Sequence, residues 1–214
     1  NQLEVLGFIP LNLEQQKLKA GESAVLRFAV EQKIIKFTDL IRGEITFDTS
    51  LLGDIVIAKN TETPLYNFSV VIDDFEMQIS HVIRGEDHIS NTPKQVFITK
   101  ALGFEVPQFA HLPIILNPDR SKMSKRFSDT ALKDYISQGY TKEAMFNFLS
   151  FLGWHPKEDK DIMNVEDIVK EFDIARVQKG GAIFNQEKLD WLNNQYLKEM
   201  DFEELKRYIV NFVP

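Results

Sequence analysis

The 214 residues include no cysteine, which excludes disulfides and thiolate-bound zinc and leaves a reducing compartment admissible. No apolar run approaches the roughly 18 residues that a membrane span requires, and no secretory signal opens the chain. Histidine is sparse: His81, His88, His111 and His155 stand apart without ligand spacing, so no metal site is expected. Positive charge is in deficit, with 25 Lys and Arg against 32 Asp and Glu and a net charge of −7. General affinity for a nucleic-acid backbone rests on neutralising phosphates, so any such contact must come from a local basic patch. The phosphate loop Gly-x-x-x-x-Gly-Lys, the nucleophile elbow Gly-x-Ser-x-Gly and the helix signature His-Glu-x-x-His are all missing. What is present is an ordinary globular composition, 43% hydrophobic and 27% charged, in a length that supports one good core and a smaller second module.

Against this background one stretch stands out. Asp119-Arg120-Ser121-Lys122-Met123-Ser124-Lys125-Arg126 crowds four positive charges into eight residues. It follows the apolar run Leu112-Pro113-Ile114-Ile115-Leu116, which reads as a strand closed by the turn signal Asn117-Pro118-Asp119. In an open α/β sheet, ligands gather outside the carboxyl ends of strands, and a loop carrying lysines there suits a phosphate-bearing ligand. On charge alone a solvated basic turn remains the alternative.

Along the chain, short β-rich runs are expected at 24–28, 34–37, 43–47 and 54–58, separated by glycine and charged turns. The run at 68–74 is short and β-branched, and periodicity does not separate strand from buried helix there. Asp73-Asp74 is expected to cap the helix that follows rather than to act chemically. A strand at 79–84 ends at Gly85, and Asn91-Thr92 supply a cap and Pro93 a first-turn residue for a helix reaching Ala101. Strand, helix, strand and basic loop in that order predict a βαβ crossover with parallel pairing. Beyond it the pattern is helical: 131–137 capped by Asp129 or Thr130, a helix capped by Thr141 reaching Leu152, and helices capped by Asn164, Asn185 and Asp201. Ala144, Met145, Phe148, Leu149 and Leu152 form an expected core stripe. Residues 154–173, with seven acidic and three basic side chains, read as a solvated face.

The motifs Val82-Ile83-Arg84-Gly85-Glu86-Asp87-His88, Asn91-Thr92-Pro93, Leu112-Pro113-Ile114 and Lys122-Met123-Ser124-Lys125-Arg126, in this order and spacing, resemble the glutamyl-tRNA synthetase catalytic domain. The last resembles the Lys-Met-Ser-Lys-Ser signature of class I aminoacyl-tRNA synthetases. The likeness runs from about residue 21 to about residue 196. It implies an α/β fold, the second half of a Rossmann-like class I catalytic domain followed by an all-helical module. The boundaries expected are 1–22 for a leader or remnant of a connective insertion, 23–126 for the α/β half and 127–214 for a helical stem-contact domain.

The resemblance also implies site roles. Lys125 would meet the ATP phosphates, with Lys122 and Ser124 supporting closure of the loop. Asp87 and His88 would contact ATP, the carboxylate at the ribose hydroxyls, and Ile115 would lie beside the adenine. Arg84 and Tyr66 would bind the glutamate, since a guanidinium fork recognises a carboxylate bidentately. The alternatives are a solvated lysine for Lys125, an ion pair with Glu86 or Asp87 for Arg84, a core aromatic for Tyr66 and a plain core position for Ile115.

Glutamate-tRNA ligase activity is thus implied, with ATP and Mg2+, tRNA(Glu) and L-glutamate as reactants. A cytoplasmic location, no membrane contact and a monomeric complete enzyme go with it. Relatives often carry a zinc knuckle, and without thiolates no protein-bound zinc is expected. The His-x-Gly-His signature of the class is absent, and the chain opens on Asn1, so a fragment inactive by itself is expected. The alternatives left open are an enzyme that glutamylates queuosine in tRNA and a non-catalytic RNA-binding synthetase fragment.

Overall fold

A computed structural model describes residues 25–30, 34–60, 62–123, 131–210 and 212. Two compact units divide between His111 and Leu112.

In the first unit, β2 (Ile34–Asp39) and β3 (Gly43–Asp48) form an antiparallel hairpin in continuous register from Ile34↔Asp48 to Asp39↔Gly43. Side chains alternate across a strand, and in β2 this turns Ile35 and Asp39 inward and leaves Ile34, Lys36 and Thr38 exposed. The otherwise apolar inward face of the strand therefore ends on a carboxylate. At that residue β2 meets β7 (Gln108–Leu112) in parallel, Asp39 opposite Phe109, and Leu40 N–H donates to Phe109 O at 2.8 Å. With β6 (His81–Gly85) the four strands run in the order β3-β2-β7-β6. A second sheet, in the order β1-β4-β5, comprises β1 (Leu26–Phe28), β4 (Ile55–Asn60) and β5 (Thr63–Pro64).

The run that periodicity leaves open is helical: α1 spans Tyr66–Glu76. Its β-branched Val70, Val71 and Ile72 disfavour a helix slightly, but Val71 is buried against Ile55, Ile57 and Ile98, with Phe28 and Phe68 around them. Burial of an apolar side chain, worth about 2 kcal/mol, exceeds the few tenths that propensity costs. Asp73 and Asp74 lie inside this helix, so they do not cap the following one. α2 (Thr92–Ala101) starts as expected with Pro93 in its first turn, yet Asn91 makes no side-chain cap bond. The Thr92 hydroxyl is engaged elsewhere, as described below.

In the second unit the expected strand at 112–116 is broken. β7 ends at Leu112, and after Pro113, which has no N–H to give a ladder, a two-residue β8 (Ile115–Leu116) pairs in parallel with β9 (Ala182–Ile183). Gly181 permits this: a Cβ there would lie 2.5 Å from Leu116 Cδ1. The helices are α3 (Leu132–Ser137), α4 (Lys142–Ser150), α5 (Val165–Glu171), α6 (Gln186–Glu199) and α7 (Phe202–Ile209). Four expected caps are present. Thr141 accepts from Ala144 N at 3.1 Å, Asn164 from Asp167 N at 2.8 Å, Asn185 from Lys188 N at 3.1 Å and Asp201 from Glu204 N at 2.9 Å. The caps expected at Asp129 or Thr130 lie outside the described residues.

Tyr135, Met145, Phe148, Phe184, Leu189 and Leu192 form the core of this unit. Two expectations are corrected. Leu149 is 45% exposed, because it sits one position, about 100° of helix rotation, from the buried Phe148. Residues 154–173 are more than a solvated face: Trp154, Met163 and Ile168 are buried while the charged side chains between them point outward. No helix among the described residues is long and apolar enough to cross a membrane.

Candidate active site

Arg84 lies at the carboxyl end of β6, one residue before the strand closes at Gly85. Its guanidinium is held by neutral acceptors. Nε donates to His111 Nε2 at 3.2 Å, and Nη2 donates to Thr92 Oγ1 and to Gln95 Oε1, each at 2.8 Å. The cation also stands over the Phe109 ring, 5.6 Å from its centroid. Among the described residues Arg84 forms no ion pair. Burial pushes its pKa down, and the neighbouring Tyr66 and Asp74 oppose that shift. A half-buried cation without an ion-pair partner among the described residues is suited to an incoming carboxylate.

The ion pair available to Arg84 from its sequence neighbours is made by another residue. Glu86 pairs with Arg42, whose Nε also donates to His111 O at 3.2 Å. Tyr66, at the start of α1, is 50% exposed rather than buried in the core. Its hydroxyl lies 3.5 Å from His88 Nδ1, and the two rings are 5.9 Å apart. Tyr66, Arg84 and His88 are thus brought together by three separate elements, α1, β6 and the 3-10 turn Glu86–His88. Asp87 is exposed on that turn, and its carboxylate folds back over Gly85, where an added Cβ would stand 2.7 Å from Asp87 Oδ1. A side chain at position 85 would displace it.

A cleft of about 450 Å3 borders Gln95 and Phe109 but opens among Ile79, Ser80 and His81, at the amino end of β6. Ligands of open α/β sheets gather at the other end, which is where Arg84 lies.

Ile115 and Lys122 belong to the second unit. Ile115 is 37% exposed, and its carbonyl accepts from Met123 N–H at 3.1 Å. Lys122 is exposed, and its backbone bridges Leu116. The turn between them is closed by Asp119, which accepts from Ser121 N at 2.9 Å and from Ser121 Oγ at 2.6 Å, with Arg120 in the left-handed region at φ +66°. Met123 packs against the helical core. One end of the basic loop is therefore anchored by an apolar side chain and a short ladder. Ser124 and Lys125 lie outside the described residues.

Sequence reasoning missed Asp39, Thr92, Gln95 and His111 as parts of this site. Asp39 is 1% exposed and accepts from Ile41 N at 3.0 Å, Arg42 N at 2.9 Å, His111 N at 3.1 Å and His111 Nδ1 at 2.6 Å. Burial alone would raise its pKa, but the bonds donated by Arg42, His111 and Ile41 hold it below the usual carboxylate range. Burial pushes the His111 pKa down against the pull of Asp39. The one sequence signal was a carboxylate at an inward β2 position. No group of three or more His, Asp and Glu side chains among the described residues could hold a metal.

The sequence matches the model of the family "tRNA synthetases class I (E and Q), catalytic domain" over residues 10–191. It is 49% identical over 205 residues to the glutamate-tRNA ligase of Sulfurihydrogenibium sp., covering 94% of this chain and 43% of that protein. It is also 49% identical over 194 residues to glutamate-tRNA ligase 2 of Caldanaerobacter subterraneus subsp. tengcongensis, covering 90% and 40%. Among solved structures, that of a glutamate tRNA ligase from Elizabethkingia meningosepticum, in complex with its amino acid, superposes with a TM-score of 0.83 at 36% identity, covering 95% of this chain and 45% of that one. The glutamate-tRNA synthetase of Elizabethkingia anophelis gives a TM-score of 0.82 at 36% identity, covering 96% and 46%. The chain spans less than half the length of these relatives. With its α/β sheets, its helical part and these matches, the chain belongs to the class I tRNA synthetases for glutamate and glutamine (E and Q) and carries part of their catalytic domain.

Proposed function

We propose that this chain is the glutamate-recognising part of a glutamate-tRNA ligase, which activates L-glutamate with ATP and transfers it to tRNA(Glu). The observation that carries the reading is the state of Arg84: a fixed guanidinium at a strand's carboxyl end, held only by neutral acceptors, with the exposed Tyr66 hydroxyl beside it. A charge-assisted contact there, made through Nη1, which the bonds to His111, Thr92 and Gln95 do not use, orients the substrate carboxylate. The substrate carboxylate then attacks the α-phosphorus of ATP and pyrophosphate leaves.

Asp87, exposed on the turn after β6, has the acceptor oxygens that ribose hydroxyls require, and His88 sits between Tyr66 and Asn91. Ile115 offers an exposed apolar side chain to the adenine. Lys125, with Lys122 and Ser124 supporting closure of the loop, supplies positive charge where negative charge accumulates on the departing phosphates. Mg2+ enters with the ATP phosphates, as this cation is commonly bound through substrate oxygens and water. We read residues 1–22 as a remnant of a connective insertion, 23–126 as the α/β half of the catalytic domain and 127–214 as the stem-contact part. The complete enzyme is read as a cytoplasmic monomer without protein-bound zinc, and the isolated chain as inactive.

The test is ATP-pyrophosphate exchange by the full-length protein with glutamate, with and without tRNA. Exchange with glutamate and not glutamine, followed by an ester at the tRNA 3′ end, is the expected result. No exchange, or glutamate found on an anticodon base, overturns it.

A further inference from the structure

Arg84 is held in place by a residue that touches no solvent. His111 is fully buried on β7, and so is its partner Asp39 on β2. The protonation pattern of this group follows from its donors. An arginine Nε can only donate, so His111 Nε2, 3.2 Å away, must be the bare nitrogen. The ring proton then sits on Nδ1 and is donated to Asp39 Oδ2 at 2.6 Å. Asp39 is committed to this orientation because its two oxygens also accept from the backbone of Ile41, Arg42 and His111 itself. Thr92 completes the arrangement. Its hydroxyl accepts from Arg84 Nη2 at 2.8 Å and lies 3.0 Å from His111 Nε2, whose single lone pair it can only share with Arg84 Nε.

We propose that Asp39 and His111 are positioning residues for substrate recognition: Asp39 fixes the imidazole tautomer, the bare Nε2 accepts from Arg84 Nε, and the plane of the carboxylate-binding guanidinium is thereby set. Nε and both Nη2 hydrogens are committed to His111, Thr92 and Gln95, so the substrate carboxylate is met by Nη1, whose direction follows from the plane of the group. A neutral acceptor at Nε orients that plane without cancelling the charge the substrate needs. Asp39, which is negative, is kept one imidazole away from the guanidinium. The inference rests on the reading that Arg84 binds the substrate carboxylate.

The test uses the full-length enzyme and three measurements. His111→Asn keeps a donor for Asp39 near the Nδ1 position and removes the acceptor for Arg84, whereas His111→Gln can place an amide oxygen near Nε2. The glutamate KM is expected to rise about 10- to 100-fold in His111→Asn, as for loss of a hydrogen bond to a charged group, with the ATP KM unchanged and much of the loss recovered in His111→Gln. In an Arg84→Lys background, where the Nε donor is gone, His111→Asn should add little. Parallel changes in the glutamate and ATP constants, equal defects in the Asn and Gln variants, or effects that multiply in the double variant would overturn the proposal. A third measurement needs no variant to fold. In the 15N spectrum of the histidine-labelled wild-type enzyme, His111 should show a protonated Nδ1 and a bare Nε2, and a protonated Nε2 refutes the arrangement. Wild-type enzyme without glutamate-dependent exchange defeats the glutamate reading instead, a result separate from the tautomer.

Discussion

Gln95 Oε1 accepts from Arg84 Nη2 at 2.8 Å while the same amide donates through Nε2 to Asn67 Oδ1 at 3.0 Å. The second bond fixes which end of the amide faces the guanidinium, so Arg84 meets a neutral oxygen and keeps its charge. Gln95→Glu changes that oxygen into part of a carboxylate at nearly constant volume. The new pair should compete with the substrate and raise the glutamate KM by at least about 10-fold, or roughly 1.4 kcal/mol. Because the fold gains an ion pair, the thermal midpoint should not fall. Steady-state kinetics and a melting curve of the same preparation check both halves, and an unchanged glutamate KM would show that the charge of Arg84 is not what the substrate meets.

Arg84→Lys retains charge and loses the fork together with the Nε donor to His111. Loss of a charge-assisted hydrogen bond of this kind costs about 1–3 kcal/mol. The loss should appear in kcat/KM for glutamate, with ATP affinity nearly intact. Equal losses for both substrates would make Arg84 a structural residue.

Lys125→Ala in the full-length enzyme should slow adenylate formation about 100- to 1,000-fold, the usual effect of removing one donor aimed at developing charge. Lys122→Ala should cost less if its part is to steady the loop, whose stem is already held by Met123 and the bridge between Leu116 and Lys122. Transfer from preformed adenylate to tRNA should be spared, because no pyrophosphate leaves in that step. Single-turnover measurements separate the steps, and equal slowing of both would remove the activating role from Lys125.

Tyr140 offers a pH test remote from the chemistry. Its hydroxyl donates to Asp190 and accepts from Gln186 Nε2 at 2.7 Å, and burial, with Asp190 next in importance, pushes its pKa from 10.0 up to about 12. The protonated phenol is the form the fold favours. Its contribution is therefore fully present below pH 10.0 and lost as the pH rises towards about 12. Tyr140→Phe should be destabilised at about pH 8, and the gap to wild type should narrow by about pH 11. Urea midpoints at the two pH values measure this, and a constant gap would mean that the phenol does not titrate as argued.

Much of the local structure was legible in the chain itself. β-rich runs at 34–37 and 43–47, bounded by glycine and charged turns, marked two strands. Thr141, Asn164, Asn185 and Asp201 marked four helix starts because a short polar side chain satisfies a free N–H two or three residues on. Arg84 could be placed at a strand end because Gly85 follows it. These are signals of short range, set by periodicity and by hydrogen bonds between near neighbours. What holds Arg84 is of another kind. Asp39 and His111 are 72 residues apart, and His111 and Arg84 are 27 apart; no spacing rule joins them until β2, β7 and β6 lie side by side. The same holds for the helix at 66–76, whose β-branched residues become helical because Val71 has a core to enter. It holds equally for the break at Pro113, after which a short β8 pairs with β9 in place of the single strand expected. Local chemistry chose most of the elements, and burial against distant partners decided the rest and what the side chains became.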